Sequence, residues 1–202
     1  MKEDAQVFRR SRMRRSFLAG MAFLAAASIA AVAQDAVFQL DPQHTTIKFT
    51  LSDVIHTVHG TFQLKQGALR LDPGSGKLTG EIVVEAKSGQ SGSGLRDRKM
   101  HREVLESGRY PDIAFRPDRV DGNVALQGTS SVRVHGIFSI HGADHELTVP
   151  AEIAVSPDHW TATLHFAVPY ANWGMKNPST LFLRVSESVE VDLTTAGTVT
   201  RP

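Results

Sequence analysis

Nine histidines and no cysteine define the side-chain chemistry open to this chain. The missing thiols exclude disulfide frameworks, Cys-ligated zinc, iron–sulfur clusters and thiol catalysis together. Imidazole chemistry stays open, so the histidine spacings come first. His56 and His59 are three apart, which puts them on opposite faces of a strand unless a turn intervenes. His141 and His145 flank Gly142-Ala143-Asp144 and become cross-strand neighbours if those three residues form a hairpin loop. A zinc site there needs a third ligand, for which Asp144 or Glu146 is the local candidate. Solvated or hydrogen-bonded histidines are the simpler reading, and no metal ligand is assigned. An enzyme acting on a lipid or small hydrophobic substrate would draw its acid and base from His44, His56 or His101 with Asp97.

Other catalytic signatures are missing. Gly89-Gln90-Ser91-Gly92-Ser93-Gly94 lacks the spacing of a nucleophile elbow. There is no phosphate-binding G-x-x-x-x-G-K-[ST], no dinucleotide fingerprint and no H-E-x-x-H. The Gly/Ser run reads as a flexible connection into a helix. Asp97 suits an N-cap, its carboxylate accepting from the N–H groups two or three residues on. Arg96 would then stand at the start of that helix.

The elements that must position these residues are mostly strands. Period-two alternation places Ile47, Phe49 and Leu51 on one face, and Phe62 with Leu64 on another. Ile82 and Val84 alternate with Glu81 and Glu85. Val132, Val134, Phe138 and Ile140 share a parity, as do Leu147, Val149, Ala151, Ile153 and Val155. The run Trp160, Ala162, Leu164, Phe166 and Val168 is the most regular; Leu181, Leu183 and Val185, then Val189, Val191 and Leu193, close the chain. Turn residues separate them at 72–76, 121–122, 142–144 and 156–158. One short helix is expected over Leu95–Glu106, with Gly108 as its stop. The class is therefore all-β: one antiparallel sheet closed into a barrel or folded into a sandwich. A small barrel either fills its centre with side chains or leaves room for one apolar ligand, and periodicity does not choose between them.

Composition adds two exclusions. At 41% apolar and 21% charged the chain is neither disordered nor polytopic. Arg9, Arg10, Arg12, Arg14 and Arg15 precede an apolar run, Phe17–Ala30, which ends in Ala31-Val32-Ala33. This is the layout of a signal peptide (residues 1–33) cleaved after Ala33, whether translation starts at Met1 or Met13. Arg14-Arg15-Ser16-Phe17-Leu18 also fits a twin-arginine export signal, beside the general secretory reading. The implied location is the periplasm, with no stable membrane anchor once the segment is removed. Those 33 residues hold six of the 22 basic and two of the 21 acidic residues, leaving 16 against 19 in residues 34–202. A mildly acidic exported chain without a basic patch is a poor nucleic-acid binder.

The ordered set of short motifs resembles the YceI-like family of periplasmic polyisoprenoid-binding proteins. It comprises Asp41-Pro42-Gln43-His44, Phe49, Val58-x-Gly60-Thr61-Phe62, Gly67, Leu95-Arg96-Asp97 and Met100-His101. It continues through Leu105-Glu106-Ser107, Tyr110-Pro111-x-Ile113-x-Phe115, Gly136-x-Phe138-x-Ile140-x-Gly142 and Val189-x-Val191, spanning about Val37 to Leu193. Asp53, Ser88–Gly94 and Tyr170–Thr180 depart from the family pattern and mark a divergent branch. The resemblance implies a single lipocalin-like antiparallel barrel over 34–202, with an elongated pore that holds a polyisoprenoid or similar long lipid such as a quinone precursor. It implies no catalysis and no cofactor, and leaves a homodimer open. Within it, strand parity makes Phe49, Phe62, Phe115, Phe138, Trp160, Leu164 and Phe166 the expected pore lining. Arg96 is the expected contact for a ligand head group, and Trp173 with Met175 the expected flap.

Overall fold

A computed structural model describes residues 35–52, 56–179 and 184–201. The signal-peptide reading (residues 1–33), Asp53, and the Leu181 and Leu183 part of a closing strand lie outside the described residues. Nine strands form one antiparallel sheet: β1 Ala36–Leu40, β2 Thr46–Ser52, β3 Thr57–Leu71, β4 Leu78–Gln90, β5 Asp112–Asp121, β6 Gly128–Ile140, β7 Ala143–Val155, β8 His159–Val168 and β9 Val189–Thr200. From β2 to β9 each strand pairs with its successor, and β9 pairs back with β2, so eight staves close on themselves. The ninth strand, β1, continues the line of β2. It pairs with the far halves of β3 and β9, which outlast β2. A 3-10 turn at Pro42–His44 joins the two pieces. Closure leaves the ladder without a long free edge, the usual liability of an all-β chain.

Alternation decides what each strand contributes. In β8 the residues of Trp160 parity point into the barrel and Thr161, Thr163 and His165 point out. Two strands break the rule. In β3, the register shift between Leu64 and Gln66 switches the inward set from Val58, Phe62 and Leu64 to Leu69 and Leu71. In β5 a shift at Pro117–Arg119 does the same between Phe115 and Val120. Pro117 sits at that bulge, where its missing N–H costs no ladder bond.

The β6–β7 hairpin corrects the expected three-residue loop. Ile140 pairs with Ala143, leaving a two-residue turn at His141 (φ +53°) and Gly142 (φ +76°). Two positive φ values match a turn whose twist suits antiparallel strands. His145 therefore faces Phe138 across the ladder, not His141.

The helix runs from Gly94 to Lys99 (α1) and continues as a π-helical turn over Met100–Val104, two residues short of the expected end. Glu106 takes the left-handed conformation (φ +45°) that stops it, so Gly108 is not the stop. Asp97 is not the N-cap, because Ser93 holds that place. Its carboxylate instead accepts from the Ser91 backbone N–H (2.8 Å) and the Ser91 hydroxyl. The carboxylate thus fastens the Gly/Ser connection back onto the helix.

Candidate functional site

The barrel centre is not filled. A cavity of about 600 Å³ runs along the axis and is lined almost wholly by apolar side chains of the inward parity. That volume lies within the range of small-molecule and lipid pockets. Two packed clusters bound it. At the lower end, near the β3–β4 turn, Phe38, Leu40, Leu71, Leu78, Val155 and Trp160 form a floor. Trp160 meets Phe38 edge-on at 5.3 Å between ring centres and donates its indole N–H to the Gln39 carbonyl at 3.2 Å. That bond removes the cost of burying an indole N–H in an apolar floor. At the upper end, Ile113, Ile140, Val168, Tyr170 and Met175 gather beneath the helix and the β8–β9 connection.

Phe49, Phe62, Phe115, Phe138, Trp160, Leu164 and Phe166 all line the cavity, and Arg96 lines it too. Four of the aromatic members meet in pairs: Phe49 with Phe62 at 5.4 Å, and Phe138 with Phe166 at 6.4 Å. Trp160 is as much floor as lining. Arg96 lies by the upper end, pinned by bonds from its Nε to the Ser91 hydroxyl (2.8 Å) and from Nη2 to the Ser91 carbonyl (3.1 Å). Leu95, Lys99, Ser91 and Ser93 share this rim and were not singled out by the sequence reading as ligand contacts. The signal that could have found them is position: apart from Val124 in the β5–β6 connection, the lining residues outside the strands lie on α1 and its π-helical turn, on the residues flanking them, or on the β8–β9 connection.

Of the expected flap, Met175 is buried and lines the cavity. Trp173 packs from above, stacked on His145 at 4.1 Å and 5.8 Å from Phe138. Tyr170 anchors this connection by donating its hydroxyl to the Ser186 carbonyl at 2.6 Å. Burial, with a smaller contribution from Glu187, pushes the Tyr170 hydroxyl up to about 12. The fold favours the neutral phenol, so this stability is complete below pH 10 and declines as pH rises from 10 toward 12. Tyr170→Phe is expected to cost about 1 kcal/mol at neutral pH in urea melts. It should also remove part of the stability loss above pH 10; an unchanged alkaline profile would contradict the assignment.

The connection is tied to the helix as well. Lys99 donates to the Pro178 carbonyl at 3.3 Å, and Lys176 meets Glu103 at 2.8 Å. Hydrogen bonds from Arg102 and Lys176 hold Glu103 down at about 2.

The acid–base candidates are engaged elsewhere. His44 bonds Asp41 on the exposed 3-10 turn. His101 sits between the Gly89 carbonyl (2.8 Å) and the Ser107 hydroxyl (3.1 Å), bracing the helix against β4. His44, His56, His101 and Asp97 are not among the cavity-lining residues. Among the described residues no three His, Asp or Glu side chains gather as a metal site would require. None of their helices is long and apolar enough to cross a membrane.

An up-and-down antiparallel barrel, closed at one end around an apolar hollow and covered at the other by one inserted helix, defines the lipocalin-like class of binding barrel. Within that class the chain belongs to the YceI-like domain family, whose model matches residues 38–196. A UPF0312 protein of Vibrio vulnificus is 26% identical over 153 residues, covering 73% of this chain and 79% of that one. Among solved structures, Burkholderia cenocepacia BcnA superposes with a TM-score of 0.64 at 12% identity, over 78% of this chain and 99% of its own. A polyisoprenoid binding domain from Saccharophagus degradans, implicated in plant cell wall breakdown, gives 0.63 at 15% identity over 82% and 98%. The Campylobacter jejuni YceI protein gives 0.57 at 16% identity over 71% and 86%. At these identities the likeness is one of fold.

Proposed function

We propose that this protein is a non-catalytic periplasmic carrier that holds one polyisoprenoid or similar long-chain lipid, such as a quinone precursor, in the barrel pore. The observation that carries the reading is the axial cavity of about 600 Å³ with its nearly continuous apolar wall. An isoprenoid chain has no hydrogen-bonding groups, so shape and apolar area are all its site must offer. Each methylene-sized group buried contributes about 0.8 kcal/mol, while association costs roughly 4–15 kcal/mol. A cargo of a few carbons gains too little; a chain of about twenty carbons, at roughly 16 kcal/mol, exceeds the whole of that range. The description of the Saccharophagus domain as polyisoprenoid-binding supports the cargo class. The Arg-rich, A-x-A-terminated first 33 residues support the location. In this reading Phe49, Phe62, Phe115, Phe138, Leu164 and Phe166 touch the chain, Trp160 stops it, and Arg96 meets its head group.

Native mass spectrometry of the exported protein, followed by denaturing extraction, tests this. A stoichiometric prenyl lipid or quinone precursor is expected. A protein that is empty, and stays empty when offered prenyl lipids, would overturn it.

A further inference from the structure

A water-insoluble chain must come from, and return to, a membrane, so the carrier reading raises the question of what faces the bilayer. Resting on that reading, we propose that the exposed face of α1 and its π-helical turn docks onto an anionic lipid bilayer, with the cavity mouth held against it.

Two independent features carry this. The first is apolar: Leu95 is 74% exposed, the large hydrophobic side chain left in solvent among the described residues. It also lines the rim of the cavity. A single exposed leucine is common on a soluble surface, but at the cavity rim beside a run of cations this one is well placed to enter the head-group region. The second is electrostatic. Arg96, Arg98, Lys99 and Arg102 lie within seven residues of one another, and Arg98 and Arg102 follow Leu95 at +3 and +7 on the exposed side. Two acidic groups, Asp97 and Glu103, lie among these four cations, so the stretch keeps a net positive charge. Asp97 takes the Ser91 hydroxyl and N–H, and Glu103 is shared by Arg102 and Lys176. Arg96 and Lys99 spend hydrogen bonds on hydroxyl and carbonyl oxygens, which leave their charges uncompensated. Among the described residues Arg96, Arg98 and Lys99 form no ion pair.

The rest of the molecule sharpens the effect. Residues 34–202 carry three more acidic than basic groups, so the body as a whole is repelled by an anionic surface while this face is attracted. Attraction at one end and repulsion elsewhere orient the barrel mouth-down. A basic face with an exposed leucine at its leading end suits the surface potential of an anionic leaflet, which rewards each nearby Lys or Arg.

The test is co-sedimentation of the purified protein with phosphatidylcholine vesicles, with and without phosphatidylglycerol, at low and high salt. Binding is expected only with phosphatidylglycerol and to weaken with salt. The double variant Arg98→Gln/Arg102→Gln, whose residues do not line the cavity, should bind about 30-fold less, at roughly fivefold per cation. Arg98→Lys/Arg102→Lys should bind as the parent does, which separates charge from folding. All forms carry the same N-terminal segment, so differences among them report the helix. Equal binding to both vesicle types, binding to neither, or undiminished binding by the double Gln variant would each overturn the docking proposal. Prenyl lipid extracted from the same preparations is the separate readout of the carrier reading; its absence would sink that reading whatever the vesicles show.

Discussion

Gly197→Ala is expected to lower the melting temperature by about 10 °C. A Cβ at Gly197 would stand 1.8 Å from the Gln39 carbonyl oxygen, a backbone atom that cannot swing away. Gly197 faces Leu40 of β1 on one side and Trp160 of β8 on the other. The empty space above it lets the Gln39 carbonyl lean across β9 and accept the Trp160 indole N–H. A methyl group there must push β1 away, opening the floor of the cavity and stranding that N–H. Overpacking costs about 1–3 kcal/mol and the lost hydrogen bond roughly 1 more. At 2–4 °C per kcal/mol for a chain of this size, the sum is on the order of 10 °C. Gly108→Ala is the matched control, since nothing lies within 4 Å of its added Cβ. Calorimetry should separate the two variants clearly. If Gly197→Ala melts with Gly108→Ala, the close approach is not what holds the floor.

Much of this architecture was legible because period two survives wherever a strand is unbroken. Trp160, Ala162, Leu164, Phe166 and Val168 announce both a strand and its inner face, and all five line the cavity. Legibility fails where the ladder slips. The bulges in β3 and β5 invert the parity partway along, so Leu69, Leu71 and Val120 could not be assigned by extending Phe62 and Phe115. The five-residue β1 is hard to read: Ala36, Phe38 and Leu40 do alternate, but so short a run is weak, and its partners lie more than thirty positions away at Leu71 and at Val199. Helix signals misled in a different way. Asp97 has the right type for a cap, yet its carboxylate satisfies Ser91, because the Gly/Ser connection needs fastening more than the helix start does.

The site was legible by parity and illegible by volume. An alternating apolar face is the same string of letters whether the barrel closes tightly around it or stands open. What decides is the distance across eight staves, which no local pattern contains. The rim is a second case. Lys99 and Leu95 read as ordinary helix surface until the fold places α1 beside the mouth. The histidines, which drew attention first as chemistry, turn out to brace: His101 holds the helix to β4 and His145 supports Trp173. Hydrogen-bonding capacity and reactivity use the same atoms, and only surroundings distinguish them.

The second large effect concerns the hollow itself. Ala151→Phe is expected to cut cargo retention by at least about tenfold, at a stability cost of about 1–3 kcal/mol. Ala151 lies on β7 opposite Leu164 of β8, and both side chains face the cavity. Ala151 is buried within the cluster around Trp160 and Ala162, so a phenyl ring must push into packed neighbours as well as into the pore, and overpacking costs about 1–3 kcal/mol. The ring brings no polar atom to leave unsatisfied. For a linear cargo the blockage matters more than the volume removed, because a chain that cannot pass this level loses everything below it. At about 0.8 kcal/mol per methylene-sized group, two groups excluded already cost a factor of about ten. Leu164→Phe, on the facing strand, should act in the same direction with a smaller effect. Native mass spectrometry gives the lipid-bound fraction, and thermal melts of delipidated protein give the stability. Loss of lipid in variants that still melt cooperatively, within about 10 °C of the parent, would place the cargo in the pore; full retention in both variants would put any bound lipid somewhere other than the barrel axis.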